Sequence, residues 1–205
     1  MTTKLSIFLR QFDSGEYGYD ISITDQTATL ADFLMGLDNF AAAHLAACRG
    51  CDGCCHERAP LTSLDIPLLA ALLPPSCYPA HSVLDAFGTL HVSKKNVADI
   101  TMRRNKNGSC FILDIEGKFC TIHHARPFVC RSHFCLPKSE VLQEIRAATA
   151  NAGENEFIRL LIAEEKLGAP VVLPPQIKEK DYPPNVLTGK MGFNEVLICD
   201  LMSAT

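Results

Sequence analysis

The sequence predicts an α+β fold: a mainly helical single domain with a small β-hairpin, organised around a cysteine metal site. Three observations predict it. Apolar residues recur at helical spacing through much of the chain, short alternating runs occur at the start and near the middle, and eight of the ten cysteines fall in two blocks. The remaining composition is ordinary for a globular chain of 205 residues, with 47% hydrophobic and 20% charged residues.

The first twenty-odd residues alternate as strands do. Leu5, Ile7 and Leu9 share one side, Ile21 and Ile23 follow, and Gly15 and Gly18 stand between them, so a hairpin is expected. From Thr29 the period changes to that of a helix, with Leu30, Phe33, Leu34, Leu37, Ala41 and Leu45 on one stripe. Thr29 and Asp32 have the spacing of a capping box. This helix runs into Cys48.

A second helix is expected over about Leu64 to Leu73, started by Thr62 and Asp65 and stopped by Pro74-Pro75. Pro67 falls in its first turn, where the missing N–H costs little. A third is expected from Ser82, with Val83, Leu84, Phe87 and Leu90 as its apolar face. A second hairpin follows, with Phe111 to Leu113 facing Lys118 to Ile122. A loop of residues 114–116 would set Cys110 opposite Cys120. Arg126-Pro127 opens a helical turn through Cys130. Ser139 caps a helix that is expected to break at Asn151-Ala-Gly153, with another from Glu154 to Gly168. A proline-rich tail ends in an element over Phe193 to Met202. The organisation expected is thus an extension over residues 1–47, a cysteine-cluster metal-binding domain over 48–135, and C-terminal helices and tail over 136–205 packed on the same domain.

Several function classes are disfavoured by composition. A net charge of −4, 7% aromatic residues and no Trp argue against a nucleic-acid grip. No run is long and apolar enough to cross a membrane, and no secretory pattern opens the chain. A cytoplasmic, reducing compartment is therefore expected, without membrane or nucleic-acid partners. There, clustered cysteines are metal ligands or redox thiols rather than disulfide partners.

The candidate ligands are Cys48, Cys51, Cys54, Cys55, Cys110, Cys120, Cys130 and Cys135. Cys48, Cys51 and Cys54 have the C-x2-C-x2-C spacing of ferredoxin-type runs, which lets successive thiolates curl around one ion or cluster. The radical-SAM spacing is absent, since Ala47 stands four residues before Cys51. In extended backbone Cys54 and Cys55 would point apart, which suits two sites or one site and a buried thiol. Whether the eight form one or two sites is open. Arg126 and Arg131 straddle Cys130 and are placed to offset thiolate charge. Five histidines, His44, His56, His123, His124 and His133, lie near the blocks; with eight thiols available they read as structural neighbours rather than ligands. Asp52, Asp65 and Asp114 read as turn or cap residues. Cys77 and Cys199 read as buried, inert thiols.

The order Cys48-x2-Cys51-x2-Cys54-Cys55, then LTSLDIPLLA, then Cys110-FILDIEGK-x-Cys120, then Arg126-Pro127-x2-Cys130-Arg131-x3-Cys135 resembles the CxxCxxCC cysteine-cluster family, a YkgJ-like zinc- or iron-chelating domain. The family commonly has Tyr where this chain has His123. The resemblance implies a metal, with an iron–sulfur cluster, [4Fe-4S], as first candidate and zinc as the alternative. A flagellin lysine methylase carries a similar cysteine domain, so the roles implied are electron transfer, redox sensing with an unknown redox or protein partner, a zinc-binding structural module, or a metal-dependent protein-modifying enzyme such as a lysine N-methylase-like methyltransferase.

Overall fold

The computed structural model describes residues 3–45, 51–93 and 97–204. The N-terminal hairpin forms as expected: β1 (Leu5–Gln11) pairs antiparallel with β2 (Tyr17–Ile23), Leu9 facing Tyr19. Helix α1 (Leu30–His44) starts at the Thr29–Asp32 capping box and buries Leu30, Phe33, Leu34, Leu37 and Phe40. Cys48 lies outside the described residues.

The second expected helix is shorter than its apolar pattern. A 3-10 turn over Ser63–Asp65 leads into α2 (Ile66–Ala70), and the chain turns before Pro74. Helix α3 (Pro79–Phe87) begins three residues earlier than expected, because Pro79 occupies its first position and the Glu164 carboxylate accepts the Ala80 and His81 N–H groups at 2.9 and 2.8 Å. It also ends sooner. Leu90 belongs to β3 (Gly88–Val92), which pairs antiparallel with β4 (Ala98–Met102), a hairpin that the helical reading of Leu90 concealed.

The third pair, β5 (Leu113–Asp114) with β6 (Phe119–Cys120), corrects the expected register. Leu113 faces Cys120, so the loop holds Ile115 to Lys118 and Cys110 is not opposite Cys120. The Asp114 carboxylate accepts the N–H groups of Glu116 and Gly117, which winds the loop one residue further and leaves Lys118 at φ 50°. Helix α4 (Phe128–Arg131) is a single turn that ends before Cys135.

Helix α5 (Glu140–Lys166) contradicts the expected break at Asn151-Ala-Gly153 by running through it for 27 residues, ~40 Å. Gly153 is a packing site rather than a breaker. A Cβ there would stand 2.4 Å from the Cβ of Thr62, so its absence lets the Thr62 segment lie against the helix. Ser139 caps the start, accepting the Leu142 N–H, and Gly168 follows the end at φ 92°. The tail closes with a 3-10 turn over Phe193–Glu195 and α6 (Ile198–Ser203).

Two apolar clusters are strung along α5. Leu142, Ile145 and Ala148 join the first, with Phe33, Leu37, Phe128 and Phe134. Phe157, Ile158, Leu161 and Ile162 join the second, with Leu61, Ile66, Val83 and Ile100. Full burial of a side chain such as Phe128 contributes ~2–3 kcal/mol. The segment from Leu61 to Ile66 passes between the clusters, and Asp65 is the carboxylate buried on it.

Candidate metal centre

The first cysteine block ends in a 3-10 turn, Gly53–His56, closed by the Cys55 N–H on the Asp52 carbonyl at 2.9 Å. This corrects the expectation of extended backbone at Cys54 and Cys55. A 3-10 turn does not alternate its side chains, and the Cys54 thiol lies close enough to Cys55 to raise its pKa.

The second block is tied to the first through main chain. The Cys110 N–H donates to the Cys55 carbonyl at 2.7 Å. Arg104 reinforces the join, its Nε donating to the Gly108 carbonyl at 2.7 Å and its Nη2 to the His56 carbonyl. Cys120 is placed by β6, and the Thr121 N–H and hydroxyl both donate to the Ile112 carbonyl. Cys130 rides on α4, whose first N–H, that of Phe128, donates to Asp65 Oδ1 at 2.7 Å. At the other end of α4, Arg131 pairs with Asp38 of α1 at 2.8 Å. The segments before and after the first block thus both hold the helix that carries Cys130.

Thiols of the two blocks act on one another electrostatically. Burial pushes Cys55 up to about 12, and the thiols of Cys54, Cys110 and Cys120 push it the same way. Cys130 is raised by burial, then by Asp65 and by Cys110, Cys54 and Cys120. Burial also raises Cys110 and Cys120. Each thiol would resist ionising beside the others, and a bound cation is what removes that resistance.

Three arginines attend this group. Arg104 favours the thiolate of Cys110, Arg126 that of Cys120, and Arg146 is coupled to Cys130. Arg131, expected beside Cys130, is instead engaged by Asp38. Arg104 and Arg146 had no signal in the cysteine spacing. The Arg126 Nε is buried with no hydrogen-bond partner among the described residues. An all-sulfur donor set with an orphaned N–H beside it fits a thiophilic ion or cluster, whose sulfur accepts such a donor. Among the described residues no three Cys, His, Asp or Glu side chains stand close enough together to hold a metal ion.

The other expected site residues are more peripheral. Cys51 and Cys135 are exposed. Cys77 and Cys199 are also exposed, which corrects the expectation of buried thiols: both fall where Pro-rich or terminal segments run over the surface. His44 packs on Phe40 with ring centres 4.9 Å apart, and His56 lies 3.5 Å from the Asp52 carboxylate. His123 and His124 are exposed, and burial followed by Arg146 and Lys138 lowers the pKa of His133. Asp65 and Asp114 are cap and turn residues as read.

A family model described as "CxxCxxCC: Putative zinc- or iron-chelating domain" matches residues 47–151, just over half of the chain. No curated protein and no solved structure matches. Among the described residues, no helix is long and apolar enough to cross a membrane.

Proposed function

Because the chain belongs to the CxxCxxCC family of zinc- or iron-chelating domains, we propose that it holds metal through thiolates of both cysteine blocks, as an iron–sulfur protein with a [4Fe-4S] cluster. The observation that supports this reading is the main-chain join of the two blocks, the Cys110 N–H on the Cys55 carbonyl at 2.7 Å, with Cys54, Cys110 and Cys120 all acting on the Cys55 thiol. Cys48 and Cys51 extend the donor run at ferredoxin-like spacing, and Cys135 is the eighth candidate.

When bound, such a cluster supplies one-electron redox chemistry, and the role that follows is electron transfer or redox sensing with a protein partner in a reducing compartment. The chain's own part is to hold the thiols together, to offset their charge with Arg104, Arg126 and Arg146, and to donate the Arg126 N–H toward sulfur. Zinc is the second reading, since the family description names it and four thiolates satisfy its tetrahedral preference.

Anaerobic purification followed by iron, zinc and acid-labile sulfide analysis separates the two. The cluster reading expects coloured protein with iron and sulfide. Colourless protein with stoichiometric zinc moves the assignment to zinc, and protein that takes up neither metal overturns both.

A further inference from the structure

Asp65 is fully buried, and three donors converge on it. Its Oδ2 accepts the Thr62 N–H and the Thr62 hydroxyl, each at 2.8 Å, and its Oδ1 accepts the Phe128 N–H at 2.7 Å. The first belongs to a capping box and the second, hydroxyl to carboxylate, lies within it. The third lies outside it, because it reaches 63 positions along the chain to the helix that carries Cys130.

A second capping box, at Thr29, serves as an internal comparison. In α1, Asp32 Oδ2 accepts the Thr29 N–H and hydroxyl at 2.9 Å each, at a site open enough for Lys4 to approach. Capping a helix start therefore needs neither complete burial nor the second oxygen. At Asp65 that oxygen is committed to α4. A helix of four residues cannot hold its own orientation, since a single turn is unstable in isolation. The direction of the Cys130 side chain is set from outside, by Asp65 at one end and by the Asp38–Arg131 pair at the other. The Asp38 side chain is 50% exposed, and exposed pairs of this kind contribute ~0–1 kcal/mol, so the buried contact dominates.

We propose that Asp65 is a positioning residue of the metal centre: through the Phe128 N–H it holds Cys130 toward the thiols of the first block, so that metal affinity depends on a carboxylate that does not touch the metal. This rests on the metal-binding reading above. It also has a sign that simple electrostatics does not share. Asp65 lies close enough to Cys130 to oppose its thiolate, so removing the charge alone would tighten metal binding. Removing a positioning contact weakens it.

The test uses the full chain, reduced and metal-free, titrated with Zn(II) in competition with a chromophoric chelator. Asp65→Asn keeps the size but offers one acceptor oxygen to donors that need two. Its affinity is expected to fall roughly ten-fold or more, the range found when residues supporting a metal ligand are changed. Thr62→Val, which removes one of the three donors, is expected to weaken binding in the same direction and decides the matter if Asp65→Asn does not fold. Leu201→Ala, a core truncation in α6, controls for lost stability and is expected to bind as wild type does. Unchanged or tighter binding by the Asp65 and Thr62 variants overturns the proposal, as does equal weakening in Leu201→Ala.

A second readout needs no metal. Alkylation of Cys130 in the metal-free chain, followed by mass spectrometry, is expected to quicken several-fold in Asp65→Asn and Thr62→Val but not in Leu201→Ala, and an unchanged rate overturns the positioning role. A wild-type chain that takes up no Zn(II) overturns the metal reading instead, and the alkylation rates then judge Asp65 by themselves.

Discussion

The Asp65 carboxylate accepts the Phe128 N–H at 2.7 Å with no exposure of the acid to solvent. Burial raises Asp65 to about 6, against the lowering effect of the Thr62 and Phe128 donors. A buried acceptor that serves three donors leaves all of them unpaired when it is removed. Each unpaired buried group costs ~1–3 kcal/mol, so Asp65→Ala is expected to destabilise the metal-free chain by about 3 kcal/mol or more. Asp32→Ala, at the more open box in α1, is expected to cost about 1 kcal/mol. Denaturant unfolding of the two variants side by side checks the difference.

Gly153 sits in the interior of α5, where alanine would ordinarily add about 1 kcal/mol of helix stability. Here the sign is expected to reverse. The added methyl would meet Thr62 Cβ at 2.4 Å and Thr62 Cα at 3.1 Å, and backbone does not swing aside as a flexible side chain does. Gly153→Ala is expected to lower stability by about 1–3 kcal/mol, the usual cost of overpacking. Thermal unfolding measures it, and a rise in the melting temperature would show that the Thr62 segment yields freely.

These two sites show what the sequence made legible and what it did not. The capping boxes at Thr29 and Thr62 were readable because cap and acceptor lie three residues apart. The N-terminal hairpin and the cap at Ser139 were local in the same sense. Gly153 was misread as a helix breaker because its reason, Thr62, lies 91 positions away. Leu90 was misread as helical because hydrophobic spacing cannot distinguish the last turn of a helix from the first residues of a strand. At the candidate site, thiol spacing announced the cysteines, but Arg104 and Arg146 reach them only through tertiary folding. The register of β5 with β6 was missed because Asp114 uses its carboxylate on the loop rather than leaving a three-residue turn.

Glu154 provides a pH signature away from the cysteines. Burial pushes its carboxyl up to about 7 from an ordinary 4.5, and the charge of Asp99 adds to the rise, while the Ile100 N–H and Arg58 oppose it. The folded chain therefore binds this proton more tightly than the unfolded chain. Its contribution is fully present below pH 4.5 and is lost as pH rises through 7. Discounted for the solvent screening of a half-buried group, the amplitude is on the order of 2 kcal/mol. Glu154→Gln retains an oxygen for the Ile100 N–H and cannot ionise. Its stability relative to wild type is expected to rise across that window and then level off. A difference curve that stays flat from pH 4.5 to 8, a range of ~3.5 units, contradicts the assignment.

Lys118 adopts φ 50°, a left-handed conformation that carries a steric cost for residues with a Cβ. Lys118→Gly is expected to leave the β5–β6 loop unchanged and to stabilise the chain by up to about 1 kcal/mol. Chemical denaturation reads the effect, and a loss of stability would place the strain elsewhere.

The central claim is that thiols of both cysteine blocks hold one kind of metal site together, while the two remaining cysteines take no part. Metal content after anaerobic purification tests it most directly, measured on Cys51→Ser, Cys130→Ser, Cys77→Ser and Cys199→Ser beside the wild type. The account predicts bound iron or zinc in wild type, marked loss in Cys51→Ser and Cys130→Ser, and wild-type content in Cys77→Ser and Cys199→Ser. Full metal content in Cys130→Ser, or equal loss in all four variants, would contradict it.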